Sequence, residues 1–175
     1  AVIEAMERMG FRVTHLYGLT ESYGPATLCA WQDEWEGLGL EARARLMARQ
    51  GVGYPTLERL MVADPKTMAP VARDGRALGE VMLRSNTLMK GYLKNPPATE
   101  EAFWGGWFHT GDLAVWDAVG NVNIVDRKKD VIISGGENIS SSEIEDALYQ
   151  HPAVLECAVI GVPHPQWGET PKALV

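Results

Sequence analysis

The first candidate site is the stretch YGLTESYGP at residues 17–25, which follows an apolar segment. It contains two glycines, a proline, and the hydroxyl and carboxylate groups of Thr20, Glu21 and Ser22. Oxygen-bearing groups on a compact, flexible turn can contact a phosphate and a metal ion. Glycine, serine and proline also end strands in ordinary surface loops. This stretch alone therefore leaves both interpretations open.

Two later segments carry further polar groups. WFHTGDLA at 107–114 contains Asp112, and DRKKDVIISGGENISSSEIE at 126–145 contains a charged cluster followed by two glycines. The alternative for Asp112 is a turn-stabilising residue, and outside this context Arg127 is interpreted as a surface arginine. Paired glycines are common in tight turns, because glycine adopts positive φ without steric cost. The order of the three segments, rather than any one of them, indicates a site.

The local patterns predict the elements that position the first segment. Apolar residues recur at helical spacing in residues 1–10, and FRVTHLYG at 11–18 is typical of a short strand that runs into the loop. LGLEARARLMARQG at 38–51 has helical composition. We expect that helix to end at Gly51, because glycine is favoured just beyond a helix C-terminus.

Residues 56–126 are expected to form a small antiparallel β unit. LERLMVADPKTMAPV at 57–71 predicts two short strands around a turn, and GEVMLRSNTLMKGYL predicts another. PPATEEAF at 96–103 predicts a short helix that begins at prolines. The alternation in 107–126, with a turn at Gly120 and Asn121, predicts a hairpin.

The pattern changes again at DRKKD, residues 126–130. Beyond it, the order of strand, double-glycine turn, helix and strand suggests a separate small domain. Ser140 and Glu143 form an S-x-x-E capping box at the start of that helix, whose buried face is expected to hold Ile144, Ala147 and Leu148. The predicted domains are residues 1–128 and 129–175, and the fold class is α/β of the α+β kind.

Composition indicates which kinds of binding partner and which cellular location to expect. A formal net charge of −7 and a pI near 5.1 argue against a nucleic-acid binder. The sequence shows no transmembrane run or signal peptide, so we expect a cytoplasmic protein. Cys29 and Cys157 are expected to be reduced thiols, and the histidines show no metal-ligand spacing. The chain opens inside a helical pattern and closes in the strand-like PKALV, so we expect a piece of a larger protein.

In their order and separation, YGLTES, WFHTGDLA and DRKKDVIISGGENISSSEIE resemble the motifs of the adenylate-forming enzymes. The intervening LMKGYLKNPPATEEAF and the final HPAVLECAVIGVPHPQWGETPKA are also similar to that family. ISGGENIS and GYLKNP resemble the fatty and aromatic acyl-CoA ligases most closely. The resemblance implies the end of a large AMP-binding domain with an antiparallel β-barrel-like subdomain, followed by part of a small mobile α+β domain.

The resemblance also implies an activity. The reaction is that of an acyl-CoA synthetase, in which a small carboxylic acid and ATP form an acyl-adenylate that CoA converts to a thioester, with Mg²⁺ as cofactor. The acid is not specified, and a homo-oligomer stays open. The family's upstream phosphate loop and final catalytic lysine are absent from this sequence, so we expect the 175-residue chain alone to be inactive. The alternatives are an adenylation enzyme that loads a carrier protein, and a non-catalytic interaction module with relic motifs.

Within the first segment, the resemblance assigns a role to four residues. Thr20 matches a threonine that donates a hydrogen bond to phosphate, and Glu21 matches a glutamate that helps to hold Mg²⁺. Tyr17 is expected against the adenine ring, and Gly18 is expected to leave room for close approach.

The remaining roles fall in the two later segments. Asp112 matches an aspartate that accepts hydrogen bonds from both ribose hydroxyls, as the two oxygens of a carboxylate allow. Arg127 matches an arginine that reaches the ribose and phosphate, and Ile124 a hydrophobic contact near the nucleotide. Lys129 falls at the family's hinge. Three further positions concern the later steps: Gly135 and Gly136 are expected to line the passage for the pantetheine arm of CoA, whereas Asn138 departs from a frequent arginine.

Overall fold

A computed structural model describes residues 2–175 of the chain. The helices of the described part are Val2–Arg8 (α1), Leu40–Met47 (α2), Pro96–Ala102 (α3) and Ser141–Tyr149 (α4). The strands are His15–Tyr17 (β1), Thr27–Cys29 (β2), Val52–Gly53 (β3), Arg59–Ala63 (β4), Gly79–Arg84 (β5), Phe108–Trp116 (β6), Val122–Arg127 (β7), Ile132–Ser134 (β8), Glu137–Ile139 (β9), Ala158–His164 (β10) and Gly168–Leu174 (β11). Among these residues, no helix is long and apolar enough to cross a bilayer.

The chain divides into two compact units. The first unit comprises Ala1–Thr110 and Ala114–Ile124, and the second comprises Gly111–Leu113 and Val125–Val175. Mixed helices and antiparallel strands confirm the predicted fold class. The domain boundary predicted between residues 128 and 129 stays a prediction.

Two open sheets form the first unit. One has the strand order β1-β2-β3, with Leu16 opposite Leu28, and the other has the order β4-β5-β6-β7. In the described residues each sheet ends in edge strands and no barrel closes, so the barrel-like description from the sequence is loose. The predicted hairpin is confirmed, since β6 and β7 are neighbours joined by a turn in which the Gly120 N–H donates to the Asp117 carbonyl (2.9 Å).

Alternating residues of β4 and β5 build the core on the two faces of the larger sheet. Val62, Val81 and Leu83 face the main hydrophobic cluster, whereas Met61 and Met82 face a smaller one. Val62 lies opposite Val81, and Met61 lies opposite Met82, so each face receives cross-strand pairs. Because both faces are covered, β5 is buried over five consecutive residues, Gly79 to Leu83.

The strand β5 also contains a buried acidic residue. Glu80 on β5 is 1% exposed, and its Oε2 lies 3.1 Å from Nδ1 of His109 on β6. The other ring nitrogen of His109 lies 3.1 Å from the Trp104 carbonyl oxygen. Burial of a carboxylate requires such a partner, so this pair joins β5 to β6 by side chains as well as by main chain.

Of the two strands predicted in 57–71, only β4 forms. The second is reduced to an isolated bridge between Ala63 and Pro70, because proline has no N–H to continue a ladder. Between them, the Asp64 carboxylate accepts hydrogen bonds from the N–H groups of Thr67 and Lys66 (2.8 Å each). These two bonds lower the pKa of Asp64.

Gln50 and Gly51 join the two sheets of the first unit. The Thr27 hydroxyl on β2 donates to the Gln50 carbonyl (2.6 Å), and the Gln50 N–H donates to the Val122 carbonyl on β7 (3.0 Å). The Val122 N–H in turn donates to the Gly51 carbonyl (2.7 Å). The expectation that Gly51 ends the preceding helix is wrong, because α2 ends at Met47 and Gly51 bridges to β7.

The second unit contains a sheet with the order β10-β11-β8-β9, and α4 packs on β10. The sequence predicted that a glycine turn leads directly from strand to helix. Instead, the turn leads into the additional strand β9, in which Glu137 lies opposite Ser134. On α4, Ile144 and Leu148 are half-buried as expected, but Ala147 is exposed.

Both cysteines are free thiols, as the sequence predicts. Cys29 is buried on β2, where its Sγ donates to the Leu46 carbonyl (3.3 Å). Burial raises the pKa of the Cys29 thiol and outweighs the opposing effect of Arg49. A buried thiol of this kind acts as a small packing residue rather than as a nucleophile.

Replacement of Gly51 by alanine tests the joint between the two sheets. Gly51 has φ of 81°, and an added Cβ would overlap the Leu28 carbonyl. Gly75 is a matched control, with φ of 70° and no atom within 4 Å of an added Cβ. We expect Gly75→Ala to cost about 1–2 kcal/mol of unfolding free energy for the left-handed backbone, and Gly51→Ala about 2–5 kcal/mol because the backbone must also move. Urea unfolding measures both, and equal midpoints would contradict the close approach.

Candidate functional site

The loop at 17–25 is a structured turn of the first unit. After β1 the chain forms a 3-10 turn at Thr20–Ser22, and it then returns to β2. Ser22 organises the loop, since its buried Oγ accepts from the Leu19 N–H (2.9 Å). The same Oγ lies 2.8 Å from the Leu19 carbonyl and 2.7 Å from the Gly24 carbonyl, to either of which it can donate its proton. The neighbouring residue Thr20 is exposed.

Tyr17 and Gly18 line a cavity of about 280 Å³ in this loop, together with Leu16, Leu19, Gly24 and Pro25. Tyr17 also packs partly against the main core. Gly18 has a structural reason of its own, because an added Cβ would overlap the Gly24 carbonyl oxygen. The space beside Gly18 is therefore already occupied by the main chain of Gly24, so the loop requires glycine at this position even without a ligand. The predicted contacts of both residues with adenine stay predictions.

Glu21 has a partner that the sequence did not indicate. The Tyr92 hydroxyl lies 3.1 Å from Glu21 Oε1, although the two residues are 71 positions apart. Partial burial, with the hydrogen bond to Glu21 and the charge of Glu21, raises the pKa of Tyr92. Glu21 itself is half-buried. The short GYLKNP segment carries Tyr92, but nothing in the sequence pattern links that tyrosine to the loop.

Asp112 and Arg127 come together in the second unit. Asp112 lies within β6 and is 5% exposed, and its Oδ1 is 3.4 Å from Nε of Arg127 at the end of β7. The turn-stabilising alternative for Asp112 is therefore wrong, since the residue belongs to a strand. The Arg127 side chain is 59% exposed, so it combines the predicted surface position with an ion pair.

Ile124 belongs to the first unit and is anchored by the joint between the sheets. Its N–H donates to Oε1 of Gln50 (2.6 Å), and its half-buried side chain packs against the main core. The contact predicted between Ile124 and a nucleotide stays a prediction.

The carboxylate of Asp126 caps α4, and this contact was not predicted from the sequence. Its Oδ2 accepts from the Ser141 N–H (2.8 Å) and the Ser140 hydroxyl (2.9 Å), and its Oδ1 accepts from the Arg127 N–H (2.7 Å). A carboxylate at a helix N-terminus is favoured by the helix dipole. Ser140 is the N-cap, as predicted, because its Oγ accepts from the Glu143 N–H (3.2 Å).

Lys129 is exposed in the turn that follows β7. The turn is closed by the Asp130 N–H, which donates to the Arg127 carbonyl (2.9 Å), and the Lys128 N–H donates to the Gly111 carbonyl (2.8 Å). An exposed turn residue is a suitable place for a backbone rotation. The role of Lys129 as hinge stays a prediction.

Gly135 and Gly136 form the β8–β9 turn, with φ of 61° and 88°. The Gly135 N–H donates to the Trp167 carbonyl (2.9 Å), and an added Cβ at Gly135 would lie 2.9 Å from the Trp167 ring. At Gly136, an added Cβ would meet no atom within 4 Å. The tight-turn interpretation therefore holds for both glycines, and their role in a CoA passage stays a prediction. Asn138 follows on β9, opposite Ile133.

The structure does not provide a self-contained metal centre. Within residues 2–175, no group of three or more histidine, cysteine, aspartate or glutamate side chains could hold a metal ion. Glu21 offers one half-buried carboxylate, beside the exposed residue Thr20. Mg²⁺ is commonly bound by one or two carboxylates together with the phosphates of a nucleotide. The residues present therefore fit a Mg²⁺ ion that arrives with its nucleotide.

Comparison with sequence families gives two matches. Residues 1–93 match the profile of the family described as AMP-binding enzyme, and residues 143–175 match the profile of the AMP-binding enzyme C-terminal domain. The first match includes YGLTES, and the second includes HPAVLECAVIGVPHPQWGETPKA, whereas WFHTGDLA at 107–114 lies outside both matches.

Curated relatives are similar along the whole chain. An acetate–CoA ligase, CCL3, from Humulus lupulus is 58% identical over 175 residues, and the acetate/butyrate–CoA ligase AAE7 from Arabidopsis thaliana is 54% identical over 175 residues. The peroxisomal benzoate–CoA ligase of Arabidopsis thaliana is 50% identical over 175 residues. The match covers 100% of this chain in each case, but only 31%, 31% and 30% of the respective relative. The chain thus spans less than a third of the length of these relatives.

Solved structures share the fold. The o-succinylbenzoate CoA synthetase of Bacillus subtilis, in complex with an acyl-adenylate intermediate, superimposes with a TM-score of 0.81 and 31% identity. The match covers 98% of this chain and 33% of that one. The same enzyme in complex with ATP and magnesium gives a TM-score of 0.78 at 30% identity, with the same coverage of each chain.

These relatives contradict the predicted cytoplasmic location. The names of AAE7 and of the benzoate–CoA ligase both specify the peroxisome. The prediction rested on composition and on the lack of a transmembrane or signal segment. A peroxisomal address is a short signal read by a receptor, so it leaves no trace in overall composition.

Removal of the Asp126 carboxylate tests the cap on α4. We expect Asp126→Ala to destabilise the start of α4 by about 1–3 kcal/mol, because several donors lose a charged acceptor. The adjacent Asp130→Ala removes an exposed carboxylate and is the control. Hydrogen exchange measured by mass spectrometry should show faster exchange in residues 140–149 for Asp126→Ala only. Identical exchange in the two variants would show that the cap contributes nothing to the helix.

Proposed function

The chain belongs to the AMP-binding enzyme family, and on that premise we propose that the natural protein is an ATP-dependent acyl-CoA synthetase. The observation that carries the proposal is the 58% identity, over the whole chain, to a relative named as an acetate–CoA ligase. The relatives named for acetate, butyrate and benzoate indicate a small carboxylic acid as substrate. Their range of acids supports the class of substrate rather than one compound.

The proposed reaction has two steps. In the first, a carboxylate oxygen attacks the α-phosphorus of ATP, the bond to pyrophosphate breaks, and an acyl-adenylate forms. In the second, the thiol of CoA attacks the acyl carbon, its proton is lost to solvent, and the bond to AMP breaks. Little covalent help is needed from the protein in the first step, which depends on the positioning of two anions and the neutralisation of charge.

The loop at Thr20–Ser22 is proposed to bind the phosphates. The hydroxyl of the exposed residue Thr20 can donate a hydrogen bond to a phosphate oxygen, and the carboxylate of Glu21 is a suitable ligand for a nucleotide-bound Mg²⁺. When bound, Mg²⁺ supplies positive charge that offsets the charge of the departing pyrophosphate. Tyr17 and Gly18 are proposed to line the adenine side of the same loop, with Ile124 as a further apolar contact.

Asp112 is proposed to bind the ribose. A carboxylate can accept a hydrogen bond from each hydroxyl of a diol, because it has two oxygens. The nearby Arg127 Nε lies 3.4 Å from Oδ1 and places a positive charge beside this carboxylate. Arg127 is mostly exposed, which leaves its remaining donors accessible to a phosphate.

The second step is proposed to use the turn around Lys129 and the glycines of the β8–β9 turn. A rotation at residue 129 would exchange the adenylating and thioester-forming orientations of the following domain. Gly135 and Gly136 would then border the path of the CoA thiol.

The activity is tested by two half-reactions of the natural protein with acetate, butyrate and benzoate. We expect acid-dependent exchange of pyrophosphate into ATP, and formation of a thioester with free CoA. Asp112→Ala should weaken ATP binding by about 1–3 kcal/mol, because ribose hydroxyls lose their acceptor. The exposed Asp146 on α4 provides the control Asp146→Ala. Transfer only to a carrier protein would contradict the proposed use of CoA, and ATP binding equal in both variants would contradict the role of Asp112.

The hinge is tested by Lys129→Pro in the natural protein. Proline fixes φ near −65° and also restricts residue 128, so it removes the rotation that the second step needs. We expect adenylate formation within a few-fold of normal and transfer to CoA reduced about 100-fold or more. Lys129→Ala is the control, because it removes the side chain but leaves the backbone free. Equal losses in both half-reactions would indicate misfolding, and normal transfer in Lys129→Pro would exclude the hinge.

A further inference from the structure

The segment that precedes α3 holds the main chain of Glu21. The Met89 N–H donates to the Glu21 carbonyl (2.7 Å). Leu88 and Met89 pack against the main core, so this contact has a fixed base. The 3-10 turn that carries Glu21 is therefore supported from behind by a part of the chain far away in sequence.

The main chain of Tyr92, three residues further on, is held by α3. Its N–H donates to the hydroxyl of Thr99 (2.9 Å), and that hydroxyl donates to the Asn95 carbonyl (3.0 Å). Asn95 is in turn the N-cap of α3, where its Oδ1 accepts from the Ala98 N–H (3.3 Å). These bonds hold the backbone of Tyr92 in place. The position from which its ring extends toward Glu21 is therefore fixed.

The phenol can only be the donor in its contact with Glu21. An ionised carboxylate has acceptor capacity alone, so the hydrogen bond of 3.1 Å runs from the Tyr92 hydroxyl to Oε1. A carboxylate has two oxygens, and a donor fixed on one determines where the other points.

We propose that Tyr92 is a positioning residue for the carboxylate of Glu21. It fixes Oε1 so that Oε2 is presented to the Mg²⁺ of the nucleotide in one orientation. The inference rests on the proposed function, because it assigns Tyr92 to the site where Glu21 is expected to bind Mg²⁺. Tyr92 itself contacts neither the ion nor the nucleotide in this proposal. It acts through the geometry of Glu21 alone.

A purely structural role makes a different prediction. If the hydrogen bond only fastened the GYLKNP segment to the loop, its loss would lower stability but leave the affinity for metal unchanged. A positioning role predicts the reverse, since a misoriented carboxylate weakens metal binding even when the fold is intact.

The test uses Tyr92→Phe, which removes only the hydroxyl, in the natural full-length protein. Tyr149→Phe is a matched control, because Tyr149 is also partly exposed and its hydroxyl hydrogen-bonds to the main chain of Cys157. Binding of Mn²⁺ in the presence of a non-hydrolysable ATP analogue is measured by electron paramagnetic resonance. The Mg²⁺ dependence of pyrophosphate exchange and the melting temperature are measured in parallel.

We expect Tyr92→Phe to weaken Mn²⁺ binding and raise the apparent Mg²⁺ constant about 5- to 20-fold, because Glu21 keeps its carboxylate but loses the donor that orients it. Turnover at saturating Mg²⁺ should stay within a few-fold of normal. Tyr149→Phe should change neither constant. In a Glu21→Gln background, Tyr92→Phe should have no further effect on Mn²⁺ binding, because both changes act on the same carboxylate.

Three results would overturn the inference. Unchanged Mn²⁺ binding in Tyr92→Phe would do so, even if the melting temperature fell, because the bond would then be structural only. A full additional loss in the Glu21→Gln background would show that Tyr92 acts independently of Glu21. Absence of nucleotide-dependent Mn²⁺ binding in the wild-type protein would be the third, and it would refute the proposed function as well, whereas the first two results would refute the role of Tyr92 alone.

Discussion

The first unit depends on the hydrogen bonds that fasten Gln50 and Gly51 between two sheets. Gln50 accepts from the Thr27 hydroxyl through its carbonyl and from the Ile124 N–H through its side chain, at 2.6 Å each. Gly51 pairs with Val122, in a space where no side chain fits. The loop at 17–25 leads into β2, so the bonds between β2, Gln50, Gly51 and β7 set the position of that loop relative to β7. Buried polar groups of the main chain must form hydrogen bonds with one another, and here those of both sheets do so at Gln50 and Gly51.

Elements with strong local patterns could be predicted from the sequence, and those fixed by distant contacts could not. The alternation in β6 and β7 and the turn at Gly120 produced the correct hairpin, and Ser140 was correctly identified as a cap. By contrast, Gly51 has the local character of a helix terminator, but its conformation is set by its contacts with β2 and β7. The strand β9 is three residues long, too short for periodicity to reveal.

The candidate site shows the same division. The residue types of Thr20, Glu21 and Asp112 were recognised through their motifs, and the structure places Asp112 on a strand beside Arg127. The partners that hold these residues were missed, since Tyr92 lies 71 positions from Glu21 and Asp126 lies 14 positions from Ser140. Sequence order carries no direct record of such contacts, which arise only when separate elements pack. Gly18 adds a related lesson, because a motif glycine can be required by the loop before any ligand is considered.

The Asp126 cap has a consequence for any rotation of the chain at residue 129. Asp126 and Ser140 lie on opposite sides of residue 129, so their hydrogen bond closes the intervening residues into a ring. A ring does not turn about one of its own backbone bonds while it remains closed. Any large rotation at residue 129 must therefore release the carboxylate from Ser140 and Ser141 together. Such a rotation would therefore also uncap α4, so it would couple the turn at residue 129 to the start of that helix.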